Sequence, residues 1–338
     1  MNNQSSGIPA VCRITLILAL LVSVPVLHLA GSGTRGITAV PGMSSGESIP
    51  EIAAVNLEGR KLRLVATSSF IGDVLGEIAG GEAEITVLMP RGQNPHSWEP
   101  GPGDITEIKD ADLIFVNGLD LEASLLEIIE SMKTAPVIPV SAGVDVLIGE
   151  HGAGNPHVWF SPLNVIIWSE NIESVLIRAD PAHAEVYHSA AIRYVSALKE
   201  LDKEIRTEVS ALDPGERRMV TDHSSFDYFA RDYGFVIAGK VISSSNDQAE
   251  PSARDIAGLS ELIREENIRA VFVGGTAGEG LKKLAKSVAG ESGRNLPVVE
   301  LLSGSLTSPG NRGDTYLDFV RCNTERIIAA LRAPGEEG

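Results

Sequence analysis

An α/β fold of two lobes, each a mainly parallel sheet flanked by helices and joined by one long helix, is predicted from three observations. Short β-branched runs alternate with amphipathic stretches up to residue 139, and the same alternation resumes at residue 218. Strands that alternate with helices imply parallel sheets covered on both faces. Between the two sets runs a single apolar stripe at helical spacing: Tyr187, Ala191, Tyr194, Leu198, Leu201, Ile205, Val209 and Leu212.

In the first set, strands are expected at 62–67, 85–88, 113–117 and 137–139, with helices at 70–79, 104–109 and 122–132. Gly80-Gly81 closes the first helix, and Asp104 sits near the start of the second. Residues 141–154 read as a loop. Asp180-Pro181 has the signature of a helix start, an N-cap Asp followed by proline at the first helical position. Asp213-Pro214-Gly215 is its stop. A helix over 182–212 would be about 45 Å long, more than a crossover in one compact sheet requires. It is expected to join the lobes. The second set has strands at 218–221, 235–238, 270–273 and 298–302. Its helices are expected at 226–233, from residue 250, at 281–288 and at 316–331. The boundaries are then an N-terminal lobe at 61–180, the linking helix at 181–212 and a C-terminal lobe at 213–334. No sequence repeat marks the lobes as duplicates.

The formal charge of -17 argues against nucleic acid as a partner, since phosphate recognition needs Lys and Arg, and suits a protein that handles cations. Of two cysteines, Cys12 and Cys322, the first lies in the leader, so no internal disulfide is expected. Residues 1–32 read as an export signal or a retained N-terminal anchor. Arg13 precedes a run, 14–31, without Asp, Glu, Lys or Arg, and Ala30, Gly31 and Ser32 follow the pattern of a cleavage site. The run is near the length of about 20 residues that a membrane span needs. No cysteine sits just after it to accept a lipid. Residues 33–60 read as a flexible tether, Gly/Ser/Thr/Pro-rich up to Pro50.

Three of the seven histidines stand out by their context, each in a loop or at a strand end, where functional groups collect. They are His96 in Gln93-Asn94-Pro95-His96-Ser97-Trp98, His157 in Asn155-Pro156-His157-Val158-Trp159, and His223 in Thr221-Asp222-His223-Ser224. A proline just before two of them stiffens the turn that presents the ring. Neutral imidazole suits zinc and several other first-row ions. Spacings of 61 and 66 residues exclude a zinc finger and fit ligands gathered from separate loops. The residues alone leave two readings open, three metal ligands or three hydrogen-bonded loop histidines. His28 lies in the leader, and His183 and His188 on the long helix read as surface residues. His151, in a glycine-rich loop, reads as a solvated or transient contact.

Over 62–331 the chain resembles the solute-binding proteins of zinc/manganese ABC importers. The resemblance is carried by Pro90-Arg91-Gly92-Gln93-Asn94-Pro95-His96-Ser97-Trp98-Glu99-Pro100, by 111–122, by 155–162, by 223–234 and by Gly313-Asp314-Thr315-Tyr316, in that order. It implies two lobes around a rigid helix with the metal between them. It makes His96 and His157 first-lobe ligands and His223 a second-lobe ligand. It implies an extracytoplasmic monomeric receptor for Zn2+, with Mn2+ as the alternative cargo, that partners an ABC permease and its ATPase. Membrane association would come through the leader or the permease. Histidine at the third position resembles zinc members, whereas manganese members often carry a carboxylate there.

The chain departs from the pattern where Gly304 occupies the place of a family Asp and Asn155 that of another. Glu279, Glu300, Asp247, Glu250 or a water could complete the shell; the expectation is no fixed carboxylate and an open fourth position. Three histidines and an open position also describe catalytic zinc, so a zinc-dependent hydrolase is a competing reading, although no HExxH motif supplies a base. Adhesion, or sequestration of metal without transport, is a further one.

Overall fold

A computed structural model describes residues 47–132, 135–149, 152–242, 253–266, 268–293 and 296–332. The leader with His28, and the positions His151, Asp247 and Glu250, lie outside the described residues. Among the described residues no helix is long and apolar enough to cross a membrane.

Each half builds a four-stranded parallel sheet. In the first, β1 (Leu62–Ala66), β2 (Ala83–Val87), β3 (Leu113–Val116) and β4 (Val137–Pro139) lie in the order β2-β1-β3-β4. In the second, β5 (Arg218–Thr221), β6 (Val236–Lys240), β7 (Val271–Gly274) and β8 (Val298–Leu301) lie in the order β6-β5-β7-β8. The two orders are the same permutation, although the sequence shows no repeat. Chain order reverses between β1 and β3 and between β5 and β7. Such reversals open a crevice beyond the carboxyl ends of the strands, which is where ligands bind in open α/β sheets. The central strands β3 and β7 are buried along their length, as strands covered on both faces must be.

The helices are α1 (Ser69–Ala79), α2 (Pro102–Asp110), α3 (Ala123–Met132), α4 (Pro162–Ala179), α5 (Ala184–Val209), α6 (Asp227–Tyr233), α7 (Ala253–Glu265), α8 (Glu279–Glu291) and α9 (Tyr316–Arg332). Helix α4 was not foreseen, although its start is well marked. The Ser161 hydroxyl accepts the Asn164 N–H at 3.3 Å, and Pro162 takes the first turn. Trp168, Ile172, Val175 and Leu176 are fully buried. Because α4 packs on both α1 and α5 it is apolar on more than one side, and no single stripe betrays it.

The linking helix is shorter than expected, Ala184–Val209 instead of 182–212. Asp180 does not cap it. Its carboxylate instead accepts from Tyr187 Oη at 2.8 Å and pairs with His183 Nδ1 at 2.6 Å. Residues 181–183 form a 3-10 turn that folds α4 back on α5 as a helical hairpin. The predicted stripe faces inward throughout: Tyr187, Leu198, Leu201 and Ile205 are at most 1% exposed. Burying each such side chain contributes about 1.5–3 kcal/mol. One core runs continuously from Leu64 and Phe115 of the first sheet, through α1, α4, α5 and α9, to Met219 and Phe272 of the second. Two smaller clusters cover the outer faces of the sheets.

The described part of the expected tether, 47–60, is packed in place. Ile52 is buried, Val55 N–H donates to Ala179 O at 2.8 Å, and Glu47 accepts from Leu119 N–H and Ser141 Oγ–H at 2.8 and 2.6 Å.

Candidate metal centre

Both Asn-Pro-His segments fold as Asx turns. The Asn94 Oδ1 accepts the His96 N–H at 3.0 Å, and the Asn155 Oδ1 accepts the His157 N–H at 3.0 Å. Each proline fixes the residue between, so the imidazole leaves a short closed turn in one direction. Asn155 goes further. Its Oδ1 also accepts from His157 Nδ1 at 2.7 Å, while its Nδ2 donates to Ser224 O at 2.7 Å. His223 follows the carboxyl end of β5 and is held by its neighbour. Asp222 Oδ1 meets His223 Nδ1 at 2.9 Å, and Asp222 Oδ2 accepts the Gly274 N–H at the end of β7 at 2.7 Å.

With Nδ1 engaged, Nε2 of both rings carries the lone pair. Those lone pairs converge. His157 Nε2 lies 2.9 Å from His96 Nε2 and 3.2 Å from His223 Nε2. One ligand atom from each ring falls within 4.8 Å of the others. Facing lone pairs repel unless a cation or proton lies between them. A tetrahedral ion with bonds of about 2.0–2.1 Å spaces its nitrogen ligands about 3.3 Å apart, close to what is seen.

His157 and His223 are buried and His96 is partly exposed, on the solvent side. Burial holds His157 well below the usual imidazole range, and His223, His96 and Lys240 push the same way. Burial raises Asp222, but the charge and hydrogen bond of His223 and the two backbone donors outweigh it, leaving the carboxyl below its ordinary value. Lys240 donates to Ser224 Oγ and Asp227 Oδ2, both at 2.9 Å, so its charge is neutralised beside the site.

Below the rings an aromatic floor joins the halves. Trp159 stacks on Phe70 at 5.3 Å, Phe160 meets Phe226 at 4.3 Å, and Trp159 Nε1–H donates to Ser303 O at 3.1 Å.

The structure thus brings His96, His157 and His223 together and leaves His183 and His188 on the surface with Asp180 and Glu173. Glu279 and Glu300 are exposed and pair with Lys282, away from the three rings. Among the described residues no carboxylate joins the cluster. At Gly304 a Cβ would come within 2.5 Å of Pro95 Cδ and 2.6 Å of Thr276 Oγ1, so no side chain fits. Sequence reasoning missed the supporting role of Asp222, although an acidic residue directly before a candidate ligand is a legible signal. It weighed Asn155 as a lost charge and not as the group that orients His157.

A family model described as zinc-uptake complex component A, periplasmic, matches residues 64–330. The chain belongs to this family. It is similar to the manganese-binding lipoprotein MntA of Halalkalibacterium halodurans, 31% identical over 275 residues, which span 81% of this chain and 90% of that protein. It is also similar to the iron ABC transporter substrate-binding lipoprotein MtsA of Streptococcus pyogenes serotype M1, 31% identical over 283 residues, 80% of this chain and 89% of the relative. Among solved structures, the periplasmic zinc binding protein TroA from Treponema pallidum has a TM-score of 0.75 at 27% identity, covering 81% of this chain and 99% of that one. A Cd-bound periplasmic metal binding protein from Candidatus Liberibacter asiaticus has a TM-score of 0.72 at 29% identity, covering 80% of this chain and all of that one. As a member of the zinc-uptake component family, the chain is a metal-binding, extracytoplasmic receptor of an ABC importer, served by a permease and its ATPase. It is not an enzyme, as the receptor reading expected, and the competing hydrolase reading falls.

Proposed function

We propose that the chain captures Zn2+ between His96, His157 and His223, in a cleft between an N-terminal lobe at 61–180 and a C-terminal lobe at 213–334, and hands it to the permease. The helix within 181–212 sets the spacing of the lobes, so closure is a modest motion. The observation that carries this reading is the convergence of three imidazole nitrogens within 4.8 Å, with no carboxylate among the described residues in the cluster. Neutral imidazoles favour borderline ions over the harder Mn2+, which prefers oxygen. Mn2+ is the second reading, because relatives are named for manganese.

The receptor works as a monomer, exported by residues 1–32. Relatives are named lipoproteins, but no cysteine sits just after the apolar run at 14–31, so attachment would use a retained leader.

Calorimetry on chelator-treated protein is the test. Zn2+ should bind at one site per chain, displace Mn2+ in competition, and raise the melting temperature. Zinc at a hundredfold excess over Kd adds about 2.7 kcal/mol to stability. His157→Ala should weaken binding by orders of magnitude. Unchanged affinity in that variant would refute the site, and preferential retention of Mn2+ would refute the choice of metal.

A further inference from the structure

The loop that carries His96 is fastened to the other half of the molecule by residues that ligate nothing. Residues 88 and 89 leave β2 still tied to the first sheet, through Leu88 N–H to Ala66 O at 2.9 Å and Met89 N–H to Thr67 O at 3.1 Å. Arg91 and Gly92, just after Pro90, reach across. Arg91 Nη1 donates to Thr307 O at 2.7 Å and to Asp314 O at 2.6 Å, and Gly92 N–H donates to Ser305 Oγ at 2.6 Å. Pro95 then rests on Gly304, where even a methyl group would collide with it at 2.5 Å. The segment from 303 to the start of α9 is itself tied to α1, since Leu306 N–H donates to Ser69 Oγ at 2.9 Å and Tyr316 N–H to Asp73 Oδ2 at 2.9 Å.

We propose that Arg91 is a positioning residue for metal capture: its guanidinium clasps the His96 loop to the 305–314 loop and so slows release of the ion. Two half-buried carbonyls receive one guanidinium, a charged donor, and hydrogen bonds of that kind are stronger than neutral ones. His96 is the partly exposed ligand of the three, so the exit of the ion passes through the loop that Arg91 holds. Opening that loop breaks the clasp before the other two rings move. The acidic groups facing the Arg91 side chain, Asp73 and Glu77, line with it a surface groove of about 410 Å3. Truncation at 91 therefore leaves space that solvent fills and no buried void.

This inference rests on the three-histidine reading, and the experiment separates the two. Zn2+ release from the full chain is timed by stopped flow with excess chelator, for the wild type, Arg91→Ala, Arg91→Lys, His96→Ala and the Arg91→Ala/His96→Ala double variant. Arg91→Ala should release zinc about tenfold faster, the factor that corresponds to losing about one net hydrogen bond to a charged group. Arg91→Lys, which keeps the charge and a terminal donor on a differently shaped side chain, should recover part of the loss. In the His96→Ala background the Arg91 substitution should change the rate less than twofold, because the loop then holds no ligand. Co2+ spectra of Arg91→Ala at saturation should match the wild type. An unchanged release rate, or an equal effect with and without His96, would overturn the clasp. If His96→Ala itself leaves zinc binding intact, the site has failed and not the clasp.

Discussion

At the reversal point of the first sheet, between β1 and β3, the Glu122 carboxylate accepts from Thr67 Oγ–H, Asn117 N–H and Gly118 N–H at 2.7, 2.7 and 3.1 Å. At the matching point of the second sheet, between β5 and β7, Asp222 accepts the Gly274 N–H at 2.7 Å and meets His223 Nδ1 at 2.9 Å. Two sheets of one topology thus place a carboxylate in the same crevice and use it differently. Glu122 closes its crevice on backbone donors. Asp222 gives Oδ2 to the Gly274 N–H and shares Oδ1 between the His223 N–H and its ring, which turns its crevice into a mount for an imidazole. The first half therefore brings its two histidines from loops outside the crevice, and supports His157 with a neutral amide. A fold-level rule names where ligands bind, but the side chain seated there decides whether that position is a site or a seal.

The largest expected effect tests the mount. Asp222→Asn should lower metal affinity about 10–100-fold, since a group that orients a ligand and raises its basicity is worth that much. A loss under twofold by calorimetry would remove the distinction between the two crevices. The seal should respond in the opposite currency. Glu122→Ala strands three donors and should cost about 1–3 kcal/mol in urea denaturation of the metal-free protein, while metal affinity stays within twofold. Burial raises Glu122, opposed by its three hydrogen bonds, so removing it relieves a desolvated charge; three donors losing their acceptor outweigh that relief.

Inner and outer histidines sharpen the contrast through pH. Burial depresses His157, so the unfolded chain takes up a proton near the ordinary value of about 6.5 and the folded site does not. The melting temperature of the metal-free protein should therefore fall as pH drops below about 6.5, and His157→Gln should flatten that limb. His188 is raised by its hydrogen bond to Glu173, as His183 is by Asp180. Their contribution has the opposite sign: present below about 6.5 and lost as pH rises through the folded values. Both rings are exposed and screened, so His188→Gln should give the smallest change, a slight loss of stability at pH 5 that vanishes at pH 8. A larger effect from His188 than from His157 would invert the comparison.

Much of this was legible in the chain. Short β-branched runs placed all eight strands of the described residues, and helical spacing placed the inward stripe of α5, whose buried face its own periodicity defines. Helix α4 escaped because it is covered on more than one side, and α5 lost its first turn because Asp180 bonds Tyr187 and His183 instead of capping. The motifs singled out His96, His157 and His223. Their convergence was not in the motifs, since rings 61 and 66 residues apart meet only through the packing of two sheets.

What the amino-acid sequence determined by itself is the set of elements, the three Asx or strand-end turns that stiffen the imidazoles, and the absence of a side chain at 304. Tertiary structure alone decided which carboxylate orients which ring, that Pro95 and Thr276 fill the space a residue at 304 would need, and that Arg91 reaches across to Thr307 and Asp314. The reason is physical. Local pattern encodes burial and backbone conformation, whereas contacts between residues some 200 positions apart exist only once one core holds both sheets in a fixed register.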